Sequence, residues 1–144
     1  MMGEKGNRTN LASEFYVLSV LHRLGVNALL TLGNKKAVDI LVWKGDRALT
    51  IDVKGIKGAS GFPFNNGVTV NGGHYYVFVS FLGKMEDPSL VPEVYVVPSK
   101  DIEKKHGELE GGTLVWKGGN RKVIPLGKLK KLANLYRDNW KVFL

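Results

Sequence analysis

The chain has 144 residues, 44% of them hydrophobic and 24% charged, which are the proportions of one folded domain rather than of a disordered tract. Lys and Arg number 21 against 13 Asp and Glu; the resulting formal charge of +8 favours polyanionic partners, nucleic acid foremost. The lack of cysteine excludes disulfides and thiolate metal sites, and no apolar run approaches the roughly 20 residues needed to cross a bilayer. With no secretory apolar core near the start, a cytoplasmic location is expected.

Met1 to Asn7 reads as a polar, unstructured start. Asn10 to Leu24 follows as an amphipathic helix, with Asn10 as N-cap and Gly25 just past the end. Leu11, Phe15, Leu18 and His22 share one arc at 3.6 residues per turn, widened by Leu21, and Glu14 falls inside that arc. Val26 to Leu32, Ala37 to Trp43 and Ala48 to Lys54 read as three strands. Between the last two, Lys44-Gly45-Asp46-Arg47 has hairpin chemistry, with Gly45 suited to the positive φ of a type II′ turn.

Gly55 to Gly73 contains six glycines and is expected to be a loop, with Phe62 and Phe64 either anchoring it or stacking on a base. His74 to Leu82 and Glu93 to Val97 are apolar strands joined by Gly83 to Pro92 as a hairpin. Pro98-Ser99 opens a short helix through about Lys105. Thr113 to Trp116 and Lys122 to Ile124 form a peripheral hairpin about Gly118-Gly119. Leu126 to Tyr136 is helical, with Leu129, Leu132, Ala133 and Tyr136 on one side, and the tail from Trp140 to Leu144 packs back on the body. The fold class that emerges is α/β, in one domain spanning 1–144: a helix, then a mixed central sheet of about five strands with flanking helices.

The hairpin turn sets the register. Centred on Gly45-Asp46, it pairs Lys44 with Arg47 and Leu41 with Thr50, and it puts Asp39 opposite Asp52; Lys54, two residues on, shares the face of Asp52. Two carboxylates directly opposite lie about 4.5–5.5 Å apart at their β-carbons and repel. A shared proton, a bridging lysine or a divalent cation each relieves that repulsion. Mg²⁺ suits the last case because it takes one or two carboxylates and keeps several waters. Lys54 adds a positive charge suited to a phosphate oxygen or to an attacking water. A solvated acid pair with a surface ion pair is the plainer alternative.

A helix carrying Glu14, then Asp39, then Asp52-Val53-Lys54 resembles the PD-(D/E)XK nuclease superfamily, the group of restriction endonuclease-like folds and Holliday-junction resolvases. The resemblance runs from Asn10 to Gly55 and more loosely through Val97. Val38 stands where the motif has proline, and Asp52 is the shorter of its two allowed acids. The resemblance implies an endonuclease in which Asp39, Asp52, Glu14 and the Val53 carbonyl hold Mg²⁺, with Mn²⁺ as substitute. Glu14, Asp39, Asp52 and Lys54 are then the catalytic set. It also implies DNA as partner, and a homodimer where both strands are cut. Lys35, Lys36, Lys57, Lys128 and Lys131 are candidate phosphate contacts. The alternatives left open are a non-cutting nucleic-acid-binding module on the same fold and a protein-interaction domain. His22, His74 and His106 lack metal-binding spacing, and neither a G-x-x-x-x-G-K-[ST] loop nor a G-x-S-x-G elbow occurs.

Overall fold

The computed structural model describes residues 2–31, 38–64, 72–104, 113–116 and 119–144, without the side chains of 2–7, 103–104, 113–116 and 119–122. Lys35 and Lys36 lie outside the described residues.

Helix α1 spans Met2–Arg23, so it begins within the polar start expected to be unstructured, and Asn10 is interior rather than a cap. Its end is the expected one. Gly25 sits at φ +80° and its amide donates to the His22 carbonyl, while the Val26 amide donates to Leu21, a paired closure that favours glycine at that place. The buried stripe is Thr9, Ser13, Glu14, Val17 and Leu21, not the predicted Leu11–Phe15 arc, and Phe15 is 54% exposed. The cause is a close approach of backbones. A β-carbon on Gly55 would lie 1.9 Å from Ser13 Oγ, so the helix turns its small side to the sheet at that point. Periodicity reads side-chain hydrophobicity and cannot see where two backbones must touch.

The central sheet joins β1 (Asn27–Leu30), β2 (Ile40–Lys44), β3 (Arg47–Ile56), β5 (His74–Ser80) and β6 (Glu93–Pro98), in that spatial order. All neighbours are antiparallel except β3 and β5, which run parallel. The hairpin register is the predicted one, with Lys44 opposite Arg47 and Leu41 opposite Thr50. Gly45 has φ +64° and Asp46 is not among the positive-φ residues, as a type II′ turn requires.

A second sheet lies within regions read as loop and periphery. Strand β4 (Gly61–Phe64) falls inside the expected glycine-rich loop and pairs with β8 (Gly119–Pro125), which pairs in turn with β7 (Thr113–Trp116). Phe62 and Phe64 are buried in a core with Tyr76, Phe78, Ile124, Leu126 and Leu129, so they anchor the layer and are not available to stack on a base. The hairpin is therefore part of a covering layer. Helix α2 (Ser99–Lys104) follows β6. The predicted Leu126 to Tyr136 helix is two short ones, α3 (Leu126–Lys131) and α4 (Ala133–Tyr136), separated at Leu132, whose backbone at φ −109°, ψ 23° leaves the helical region. The tail forms a 3₁₀ turn, Trp140–Phe143, and Phe143 packs into the core as expected.

Strand β3 divides these cores. Leu49, Ile51 and Val53 face α1 and join Val17 and Leu21. The alternate residues Thr50, Asp52 and Lys54 are half-buried on the other face and pair in register with His74, Tyr76 and Phe78. Polar chemistry at the sheet centre thus arises from period-two alternation in one strand.

Candidate active site

The ladder between β2 and β3 ends at Ile40 opposite Ile51. Extrapolated by one residue, it would set Asp39 squarely across from Asp52. Instead the Asp39 amide donates to the Ile51 carbonyl at 2.9 Å, one residue out of register, which is bulge-like pairing that re-aims a side chain. Thr31 holds this kink. Its amide donates to the Asp39 carbonyl at 2.9 Å and its hydroxyl donates to the Val38 carbonyl. The Asp39 carboxylate then accepts from the Val53 amide at 2.7 Å. The expectation of directly facing aspartates is corrected: Asp39 reaches past that position to the peptide that follows Asp52.

Amide and carbonyl of one strand residue point to the same side of the strand. The Val53 carbonyl therefore points toward the Asp39 side, beyond the last rung of the β2–β3 ladder. Asp52 projects from the sheet face one residue earlier, its side chain 21% exposed. Asp39 thus contacts the peptide that joins Asp52 to Val53, at the end of β2. The two carboxylates and the Val53 carbonyl are all oxygen donors, and one Asp39 oxygen is already fixed by an amide. Oxygen donors of this kind are the type that Mg²⁺ and Mn²⁺ prefer.

Lys54 shares the face of Asp52, as predicted. Its ammonium lies 5.3 Å from the centre of the buried Phe64 ring, so strand β4 supplies its rest position through a cation–π contact. Glu14 is 5% exposed on the buried stripe of α1, next to Ser13 where the helix meets Gly55. Among the described residues, no three His, Asp or Glu side chains form a metal cage, so Glu14 is not gathered with Asp39 and Asp52 into a three-carboxylate cluster.

A further participant is His74, which sequence spacing had passed over. It is 3% exposed at the start of β5. Its Nδ1 is hydrogen-bonded to Thr50 Oγ1 at 2.7 Å and its Nε2 lies 3.3 Å from Asp52 Oδ2. The signal was present in the sequence as one ionisable residue opening an apolar strand; its partner was hidden because parallel pairing has no turn to fix register.

Of the candidate phosphate contacts, Lys57 pairs with Glu86 at 3.2 Å on the surface. Lys130 and Lys131 are exposed on α3 and Lys128 is half-buried. An open cavity of about 510 Å³, lined by His22, Val26, Leu29 and Trp43 among others, lies at the turn end of the hairpin and shares no residue with the acids.

The architecture is a helix packed on a mixed five-stranded sheet, with a second three-stranded sheet beside it. The structure is similar to that of a bacterial homing endonuclease, I-Ssp6803I, with a TM-score of 0.52 over 93% of this chain and 87% of that chain, at 13% sequence identity. No family model matches the chain, and no curated protein matches it by sequence. Among the described residues, no helix is long and apolar enough to cross a membrane.

Proposed function

We propose that the protein is a metal-dependent endonuclease of the PD-(D/E)XK type, hydrolysing phosphodiester bonds of DNA. The observation that supports this reading is the Asp39 carboxylate seated on the Val53 amide, against the peptide that follows Asp52. The endonuclease fold of the structural neighbour supports the same class.

Asp39, Asp52 and the Val53 carbonyl would hold Mg²⁺, with Glu14 an additional acid on α1. When bound, the ion polarises the phosphate and lowers the pKa of a bound water. Asp39 is kept in place by its amide bond, so little reorganisation is required of it during reaction. Lys54 leaves the Phe64 ring to meet negative charge as it builds on the phosphate oxygens. In the overall change, water adds to phosphorus, the bond to one sugar oxygen breaks, and a proton passes to that departing oxygen. Lys128 and Lys131, together with the net charge of +8, draw the polyanion in and position it without reading its bases.

The test is a panel of labelled single-stranded, duplex and branched DNA and RNA substrates incubated with Mg²⁺ or Mn²⁺. Cleavage that disappears with a chelator, in Asp52→Ala and in Lys54→Ala is the expected result. Loss on the order of 100-fold or more in Lys54→Ala matches removal of one preorganised charge-stabilising group. Salt-sensitive binding with no cleavage under any divalent cation would replace the enzyme with a binding module.

A further inference from the structure

The histidine at the head of β5 sits where it can control the second aspartate. Asp52 is followed by the Val53 amide that the Asp39 carboxylate accepts from, and its own carboxylate lies against His74 from the parallel strand β5. Thr50, His74 and Asp52 form a short chain: Thr50 Oγ1 to His74 Nδ1 at 2.7 Å, then His74 Nε2 to Asp52 Oδ2 at 3.3 Å. Tyr76 packs its ring edge-on to the imidazole, at 5.1 Å between centres and 88° between planes, and thereby limits the ring's rotation.

Proton placement follows from the chemistry. If Nδ1 alone carried the proton, the Nε2 lone pair would face a carboxylate, with no donor between them. If the Thr50 hydroxyl donates to Nδ1, the proton is on Nε2 and points toward Asp52. A doubly protonated ring gives Asp52 the same donor. Among the described residues, His74 Nε2 is the one buried side-chain nitrogen or oxygen without a properly aligned hydrogen bond. With Asp52 Oδ2 at 3.3 Å, a small turn of that carboxylate would give this buried donor its acceptor.

We infer that His74 is a positioning residue for Asp52. It grips Oδ2 through Nε2–H, with Thr50 fixing the tautomer, and so turns Oδ1 toward the divalent cation. This rests on the reading of Asp52 as a metal ligand. Hydrogen bonds that orient ligating groups typically contribute 10–100-fold to metal affinity or activity. His74 touches neither substrate nor ion in this arrangement.

The experiment is a Mn²⁺ titration of the full chain, followed by thermal unfolding and, separately, by cleavage rate. The proteins are the parent, His74→Leu, His74→Gln, Thr50→Val and Asp52→Asn. His74→Leu occupies the same buried position without a donor and should need 10–100-fold more Mn²⁺ for half-maximal stabilisation, with the rate recovering at saturating metal. His74→Gln, which offers an amide donor near the Nε2 position, should restore much of the affinity, and Thr50→Val should fall between it and the parent. Half-saturation in both His74→Leu and Thr50→Val equal to the parent's overturns the inference while leaving the metal site intact. Should His74→Leu fail to fold, Thr50→Val alone decides. If the parent itself gains no stability from Mn²⁺ and Asp52→Asn matches it, the metal-binding reading fails first.

Discussion

Asp39 makes two contributions that substitution can separate. Its carboxylate is a hydrogen-bond acceptor for the Val53 amide and, in the proposed function, a negative charge offered to a cation. Asp39→Ala removes both. The Val53 amide, beyond the last rung of the ladder and carried by a residue only 7% exposed, then loses its acceptor. A buried donor left without a partner costs about 1–3 kcal/mol. At roughly 2–4 °C per kcal/mol for a chain of this size, the melting temperature should fall by about 2–12 °C. Asp39→Asn retains an acceptor oxygen and exchanges a charge-assisted bond for a neutral one about half as strong, so its loss should stay below about 1.5 kcal/mol. Cleavage should fall at least about 100-fold in both, because neither offers the charge. Differential scanning fluorimetry without metal, beside a single-turnover cleavage assay, gives both readouts on one preparation. Asp39→Asn that cuts within twofold of the parent would refute the assignment of charge. Asp39→Ala as stable as the parent would refute the account of the Val53 amide.

Gly55→Ala should lower stability by about 1–3 kcal/mol through overpacking, since the new carbon would stand 2.8 Å from Ser13 Cβ, an atom that no side-chain rotation can move away. Adding Ser13→Gly should recover part of that loss in denaturant unfolding. Lys128→Gln with Lys131→Gln should weaken DNA binding evenly across sequences and reduce the slope of log affinity against log salt by up to about 0.9 for each phosphate no longer neutralised, as read by fluorescence anisotropy. The buried Tyr95 hydroxyl donates to Glu93 at 2.5 Å, and desolvation first, then that bond, holds its pKa well above the ordinary value of 10.0. Because the folded pKa is raised, this contribution is intact below pH 10 and declines as pH rises toward the folded value. Tyr95→Phe should flatten that alkaline decline in stability while costing stability at neutral pH, where Glu93 loses its donor.

What the sequence disclosed follows from how locally each feature is determined. The turn at Gly45 fixed the register from Lys44 to Ile40 because a two-residue loop leaves no freedom in which residues face. The same logic failed one residue later, at Asp39, because Thr31, just past the end of β1, captures the Val38 and Asp39 carbonyls, a contact that no local pattern encodes. The face of α1 was misjudged for a related reason. Apolar spacing favoured Phe15, whereas close contact at Gly55 selected Ser13. Strand β4 was obscured by the surrounding glycines and by Pro63, which has no amide to give a ladder, although buried Phe62 and Phe64 on either side of it carry the alternation of a strand. Lys54 was placed on the correct face by alternation alone, but its seat on Phe64 depended on that unseen strand.

The parallel join between β3 and β5 separates local contacts from distant ones at this end of the sheet. Asp39 and Val53 are 14 residues apart, so the acidic corner closes as one tight hairpin does, within a short stretch of chain. His74 and Thr50 are separated by 24 residues and meet only after the chain has crossed over to lay β5 alongside in the same direction. The Asp39 contact is thus local to the hairpin, whereas the contacts of His74 exist only in the closed sheet, with β5 laid beside β3.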